Sequence, residues 1–177
     1  MKTKLIIYGI LLILILGCSE NKTSIILIPE KINPIDKIFD IKNLNNIGFK
    51  TNKEYDVTNL PKALSSYYGW IENEQGVLKD IEIRFYESHE DALTYGFDLA
   101  NEVTGKNAKI SKKDVKWKEG NNDRRSNKRS GTGGLGPGSG KAKYGNFVII
   151  GNMILLCEGS ETTSLELCGQ ITIKLLP

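Results

Sequence analysis

Residues 144–157 read YGNFVIIGNMILLC, two apolar runs separated by Gly151 and Asn152. A glycine–asparagine pair between two such runs is a specific signal for the two-residue turn of a β-hairpin. The runs at 148–150 and 154–156 hardly alternate with polar residues, so we expect both faces of the hairpin to be covered. This stretch therefore predicts two buried antiparallel strands at the centre of a sheet, and it decides the fold class.

A further pair of strands is predicted upstream of the hairpin. Residues 80–86 read DIEIRFY, and this period of two predicts a half-buried strand. Residues 68–71 are expected to form the strand before it, because the polar connection at residues 72–76 contains a turn glycine and favours an antiparallel pair. A short helix is predicted over residues 60–67, since Pro61 stands where a first helical turn accepts proline.

Two capping patterns predict helices. Residues 88–91 (SHED) match the Ser-x-x-Asp/Glu pattern of a helix start, and apolar residues follow at spacings of three and four before a stop at Gly105. Residues 163–166 (TSLE) match the same pattern and open a segment that ends near residue 176. Residues 171–175 also alternate as a strand would, so a strand is the alternative there, but the cap favours a helix.

These elements predict one α+β domain over residues 25–177, with two principal helices, near residues 88–104 and 163–176, packed on a mainly antiparallel sheet. The composition agrees with this class. Of the 177 residues, 40% are hydrophobic and 25% are charged, which is typical of a folded domain and excludes wholesale disorder or a polytopic membrane protein.

Residues 119–143 interrupt this domain with a different composition. They contain seven glycines and six basic residues against two acidic ones. Because so little apolar surface cannot offset the entropy of ordering, we expect a flexible basic loop. It is either a plain solvated excursion or a contact for anionic lipid headgroups or an acidic envelope polymer, made through Arg124, Arg125, Lys128 and Arg129.

The N-terminus has the pattern of an export signal. Two lysines precede an apolar stretch at residues 5–16, which is shorter than the roughly 20 residues that cross a bilayer. The stretch ends in Ile15-Leu16-Gly17-Cys18, which resembles the lipobox of bacterial lipoproteins. The resemblance implies that residues 1–17 are a signal peptide, that the Cys18 thiol receives a diacylglyceryl group, and that residues 18–24 form a tether.

Such a protein is anchored to a bacterial membrane by acyl chains such as palmitate, with its body in the extracytoplasmic cell envelope. The alternative is a signal anchor with an incidental cysteine. Removal of residues 1–17 lowers the formal charge from +3 to +1, so we do not expect a nucleic-acid partner.

Cys157 and Cys168 remain after lipidation. In an oxidising compartment we expect a disulfide between them, because a helix folded back over the preceding strand can bring the two sulfurs together. The alternative is two small buried residues that never meet. The chain has three cysteines and one histidine, too few for a four-ligand Cys/His zinc site once Cys18 is lipidated, so no metal is expected.

No cofactor is expected either. Residues 131–136 (GTGGLG) have the G-x-G-x-x-G spacing of a dinucleotide fingerprint. That fingerprint binds pyrophosphate only between a strand and a helix, and Pro137 with further glycines follows it, so a helix cannot begin well there.

Candidate functional side chains are few. Tyr67, Tyr68 and Trp70 form an aromatic cluster that is either a ligand platform or ordinary packing. His89 is the only imidazole, and its place directly after a capping serine predicts an exposed residue of the first helical turn. Catalysis would need an orienting carboxylate and a nucleophile beside it, and the sequence contains no G-x-S-x-G elbow. We therefore predict no catalytic residue.

Residues 84–92, 144–147 and 155–159 resemble segments of a group of uncharacterised bacterial lipoproteins, and the similarity spans roughly residues 56–176. The resemblance implies no activity and transfers no functional residue. The sequence thus predicts a membrane-tethered, non-enzymatic binding or interaction module of unknown ligand. The alternatives are a small hydrolase-like envelope enzyme that uses His89 and a passive structural component of the envelope.

Overall fold

The computed structural model describes residues 29–126 and 140–176. The strands in this part of the chain are β1 (Ile32–Asn33), β2 (Lys50–Glu54), β3 (Ala63–Glu72), β4 (Leu78–Tyr86), β5 (Arg125–Ser126), β6 (Lys141–Ala142), β7 (Tyr144–Ile150) and β8 (Met153–Glu158). The helices are α1 (Ile41–Asn46), α2 (His89–Asp91), α3 (Phe97–Asn101) and α4 (Glu161–Leu175), and a π-helical turn (Ala92–Gly96) joins α2 to α3.

The main sheet has six strands in the order β1-β7-β8-β4-β3-β2. Every neighbouring pair is antiparallel except β1 with β7, which is parallel. β5 and β6 form a separate two-stranded ribbon. The fold is therefore α+β with a mainly antiparallel sheet, as the sequence predicts.

The β7–β8 hairpin is buried on both faces, which also confirms the prediction. Val148 and Leu155 pack with α1 and α4 on one side of the sheet, here called the α4 face. Ile149 and Leu156 pack with the π-helical turn, α3 and the segment that follows them on the other side, here called the α3 face. Coverage of both faces explains why these strands lack polar alternation.

The helix predicted over residues 60–67 is wrong. β3 begins at Ala63, after a turn in which Lys62 has a left-handed backbone (φ 60°). From Ser65 onward the chain pairs with β4 in an antiparallel ladder. Pro61 therefore marks a turn, because pairing along a ten-residue strand outweighs a weak local preference for helix.

The helix predicted near the C-terminus is confirmed as α4, but its cap lies three residues earlier than expected. Ser160 Oγ accepts a hydrogen bond from the backbone N–H of Thr163 (3.2 Å), and Thr163 Oγ1 accepts one from the N–H of Ser160 (2.8 Å). Residues 171–175 are helical, so the alternative strand is wrong.

The segment predicted as a loop at residues 119–143 is only partly described. Residues 119–126 form turns and β5, and residues 140–143 include β6. Both parts lie on the α3 face, where side chains hold them to β4. Residues 127–139, for which the sequence also predicts flexibility, lie outside the described residues.

Candidate binding site

Cys157 on β8 and Cys168 on α4 form a disulfide, with their Cα atoms 5.9 Å apart. Both residues are buried in the core of the α4 face. The antiparallel return of α4 over β8 brings the two residues together, as the sequence predicts. The bond ties the C-terminal helix to the middle of the sheet.

The three aromatic residues proposed as one platform do not lie together. Tyr67 packs on the α4 face, with its ring 6.2 Å from that of Phe85. Tyr68 points to the α3 face, as the alternation of a strand requires, and Trp70 shares its parity. A single platform of Tyr67, Tyr68 and Trp70 is therefore wrong.

A different aromatic cluster forms on the α3 face from Tyr55, Tyr68 and Trp117. The Tyr55 ring is stacked on Tyr68 at 6.4 Å and meets Trp117 edge-on at 5.9 Å. Sequence reasoning did not single out Tyr55, because it lies in an irregular segment without an apolar period. Only the folding of distant segments onto β3 brings these rings together.

The hydroxyl of each tyrosine in this cluster hydrogen-bonds to an aspartate, and each aspartate also pairs with a lysine. Tyr55 Oη donates to Asp123 Oδ2 (2.8 Å), which also pairs with Lys53 Nζ (2.9 Å). Tyr68 Oη donates to Asp80 Oδ2 (2.8 Å), which also receives Lys143 Nζ. Burial raises the pKa of both phenols, so they remain neutral donors.

The hydrogen bonds of Lys143 raise its pKa by more than burial lowers it. Burial alone lowers the pKa of this ammonium, but hydrogen bonds to Asp80 and Tyr68 leave it above its usual value. The charged lysine, which lies between β6 and β7, therefore anchors this part of the chain to β4 through the carboxylate of Asp80. Tyr55 and Asp123 make a corresponding anchor for the turns before β5.

Beneath Trp117 lies a buried ion cluster of Glu82, Arg84 and Arg124. Arg124 Nε donates to Glu82 Oε2 (2.6 Å) and Arg84 Nε to Glu82 Oε1 (2.9 Å). The two guanidinium carbons lie 4.4 and 4.9 Å from the Trp117 ring centroid. Burial raises the pKa of Glu82, but the two guanidiniums lower it more, so this carboxyl stays ionised.

This cluster corrects the role expected for Arg124. Its side chain is 3% exposed and ion-paired, so it is not free to contact an anionic surface. Release of this guanidinium to the solvent would leave the buried charge of Glu82 without one of its partners, which is strongly destabilising. Arg125 is half-buried on β5, and Lys128 and Arg129 lie outside the described residues.

A polar groove of about 340 Å³ opens beside Tyr55. Its walls include Lys53, Lys118, Asn122 and Asp123, so cationic, amide and acidic groups all face it. A second groove of about 210 Å³ lies at the N-terminal end of α4, with Lys31, Lys106, Asn107 and Glu161 among its lining residues. Both are open and mainly polar, which suits a hydrophilic ligand more than an apolar one.

His89 lies at the start of α2, half-buried rather than fully exposed. Its Nδ1 is 2.9 Å from the carbonyl oxygen of Gly151, so the imidazole joins the helix start to the β7–β8 turn. Within residues 29–126 and 140–176, no cluster of three or more potential metal ligands is found. No helix in these same ranges has the length and hydropathy needed to cross a bilayer.

The model of a family of unknown function, DUF6810, matches residues 40–177, which span the domain from the cap of α1 onward. The chain belongs to the DUF6810 family. The matched range contains the buried ion cluster, the groove beside Tyr55 and the disulfide, so each is built from the part of the chain that defines DUF6810. Searches of curated proteins and of solved structures returned no significant match.

Proposed function

We propose that this DUF6810 protein is a membrane-tethered, extracytoplasmic module that binds a polymer of the cell envelope without catalysing a reaction. The observation that carries the proposal is the groove beside Tyr55. It is a preformed, solvent-open site whose walls are held by the contacts of Tyr55 and Lys53 with Asp123. These contacts fix the side chains of Tyr55 and Asp123 in advance, which lowers the side-chain entropy that binding must cost.

The chemistry of the groove supports a hydroxyl-rich, charged ligand. Lys118 and Asn122 are exposed and can donate hydrogen bonds, while Glu54 and Glu119 can accept them. A glycan of the envelope offers both hydroxyl groups and charges along an extended chain. An anionic lipid headgroup would meet acidic groups here as well as basic ones, which makes it the weaker candidate.

The disulfide supports the proposed compartment. Disulfides persist in extracytoplasmic environments and are rare in reducing cytosol. The sequence Ile15-Leu16-Gly17-Cys18 supports tethering through acyl chains on Cys18. Together these features favour a folded domain held near a membrane surface, where even a weak interaction gains from a high local concentration.

A small envelope enzyme that uses His89 is the second candidate. Its imidazole is bound to a backbone carbonyl, whereas a general base is normally oriented by a carboxylate and faces a hydroxyl or thiol nucleophile. This geometry supports a structural role for His89 and favours the binding module.

The test is co-sedimentation of the mature protein with purified, insoluble envelope glycan from the source cell. We expect saturable binding that falls about tenfold in the double variant Lys118→Ala/Asn122→Ala, because two polar contacts are lost. The matched control is Lys106→Ala/Asn107→Ala in the groove at α4, which should bind as the wild type does. Equal binding by all three forms, or binding only to anionic vesicles, would overturn the proposal.

A further inference from the structure

The buried ion cluster contains one more positive charge than negative charge. Glu82 is the only carboxylate among the buried side chains of the described residues. Two guanidiniums, those of Arg84 and Arg124, are buried against it. The neighbouring carboxylates cannot supply the missing charge, since Asp80 is paired with Lys143 and Asp123 with Lys53.

Glu82 already accepts hydrogen bonds from both arginines, and its single negative charge is shared between them. Its Oε1 lies 2.9 Å from Arg84 Nε and 3.1 Å from Arg124 Nη2, and its Oε2 lies 2.6 Å from Arg124 Nε. Arg84 Nη2 makes a further ionic contact with Oε1 at 2.8 Å. Both carboxylate oxygens are therefore occupied on the side that faces the arginines.

The excess charge cannot be removed by a shift in pKa. A buried lysine can lose its proton, but an arginine in a protein stays protonated. The ring of Trp117 stabilises both guanidiniums through its π-face, yet it carries no net charge. A permanent buried charge is costly unless an opposite charge lies beside it.

Several buried donors next to Arg84 have no acceptor in the described part of the chain. They are Arg84 Nη1, the indole Nε1 of Trp117 and the hydroxyl proton of Tyr86, whose oxygen faces the Arg84 guanidinium. Tyr86 follows Arg84 by two residues on the same face of β4, and the Arg84 guanidinium lies 4.9 Å from the centroid of the Trp117 ring. Orphaned donors beside an uncompensated cation call for an acceptor that carries negative charge.

We propose that a small monovalent anion the size of chloride binds at the edge of the Arg84 guanidinium that is turned away from Glu82. Arg84 Nη1, the hydroxyl of Tyr86 and the indole Nε1 of Trp117 donate to it. Water would satisfy the donors but not the charge. The ligand must be small, because Arg84, Tyr86 and Trp117 are all buried. This inference is independent of the proposed envelope-binding function.

The test is thermal unfolding of the mature protein in sodium gluconate with increasing replacement by sodium chloride at constant ionic strength. We expect a saturable rise in Tm of roughly 5 °C, because a ligand that binds only the folded state stabilises it. A crystal soaked in sodium bromide should show a bromide ion within hydrogen-bonding distance of Arg84 Nη1.

Arg84→Met is the decisive variant, because it leaves one guanidinium for one carboxylate and should abolish the chloride dependence. Lys42→Met, which removes an exposed cation on α1, should retain it. If Arg84→Met does not fold, Tyr86→Phe should shift the chloride midpoint several-fold upward. Equal Tm values in gluconate and chloride, or a chloride effect that survives Arg84→Met or Tyr86→Phe unchanged, would overturn the proposal.

Discussion

Glu82 is the residue on which the interior of the α3 face depends. It is a fully buried carboxylate on a central strand, and it holds Arg84 of the same strand and Arg124 of the segment before β5. A buried ion pair adds little net stability compared with apolar packing, but removal of one member leaves the other charge unpaired. The structural role of Glu82 is to fix the position at which the segment around Arg124 packs on β4.

We expect Glu82→Gln to lower the free energy of unfolding by about 3–5 kcal/mol, since two buried guanidiniums lose their only carboxylate. Urea denaturation followed by tryptophan fluorescence measures the change, because Trp117 lies on the cluster. Glu74→Gln, an exposed control in the β3–β4 turn, should change the free energy by less than about 0.5 kcal/mol. A similar, small effect of both substitutions would contradict this role for Glu82.

The same substitution has a pH signature. Burial raises the pKa of Glu82, but the charges of Arg124 and Arg84 lower it by more than burial raises it. The folded-state pKa therefore lies below the usual value of 4.5. Because the folded-state pKa is the lower one, the stabilisation is present above the unfolded-state value and is lost as the pH falls through the folded-state value. The stability difference between the wild type and Glu82→Gln should therefore shrink below about pH 4.5. A difference that stays constant with pH would exclude a titrating Glu82.

At the scale of elements, α4 is joined to the sheet by both packing and a covalent bond. Leu167 and Ile171 of the helix pack in the core of the α4 face, next to the Cys157–Cys168 disulfide. The bond closes a short loop in the unfolded chain, so it constrains that state more than it adds contacts to the folded one.

Reduction of the disulfide should lower the free energy of unfolding by about 2–3 kcal/mol, the value for a loop of this length. Urea titrations with and without a phosphine reductant measure the difference. The double variant Cys157→Ser/Cys168→Ser should be insensitive to the reductant. Two free thiols in the native protein by mass spectrometry would show that the bond does not form.

The elements that the sequence predicted correctly are those with a strong local signal. The turn at Gly151 and Asn152 and the apolar runs around it predicted β7 and β8, and the cap at Ser88 predicted the start of α2. The helix predicted over residues 60–67 was wrong because Pro61 suits a turn as well as a helix start. Pairing with β4 then favours a strand from Ala63 onward.

At the scale of the whole molecule, the proposed anchor places the described domain near a membrane. Pro29, the first described residue, stands eleven positions after Cys18 in the sequence. In the proposed function the anchor on Cys18 supplies proximity to the membrane, and the groove beside Tyr55 supplies specificity.

Cys18→Ala tests the anchor. Cells that express this variant should show no incorporation of labelled fatty acid into the protein, which should also keep its leader and run at a higher mass. The free energy of unfolding of the domain should stay unchanged, because residue 18 lies outside the described domain. The Cys168→Ala variant is the control and should be labelled as the wild type is. Continued acylation of Cys18→Ala would refute the lipobox assignment.

The sequence by itself determined the fold class, the central hairpin, the two principal helical regions and the cysteine pair, because each rests on local periodicity, capping or composition. Only the tertiary structure decided the site. The alternation of residues 80–86 places Glu82 and Arg84 on one face of a strand, but alternation does not say whether that face meets water or a covering segment. Tyr55, Trp117 and Arg124 come from irregular parts of the chain, so their approach to β4 depends on long-range packing and charge that no local pattern contains.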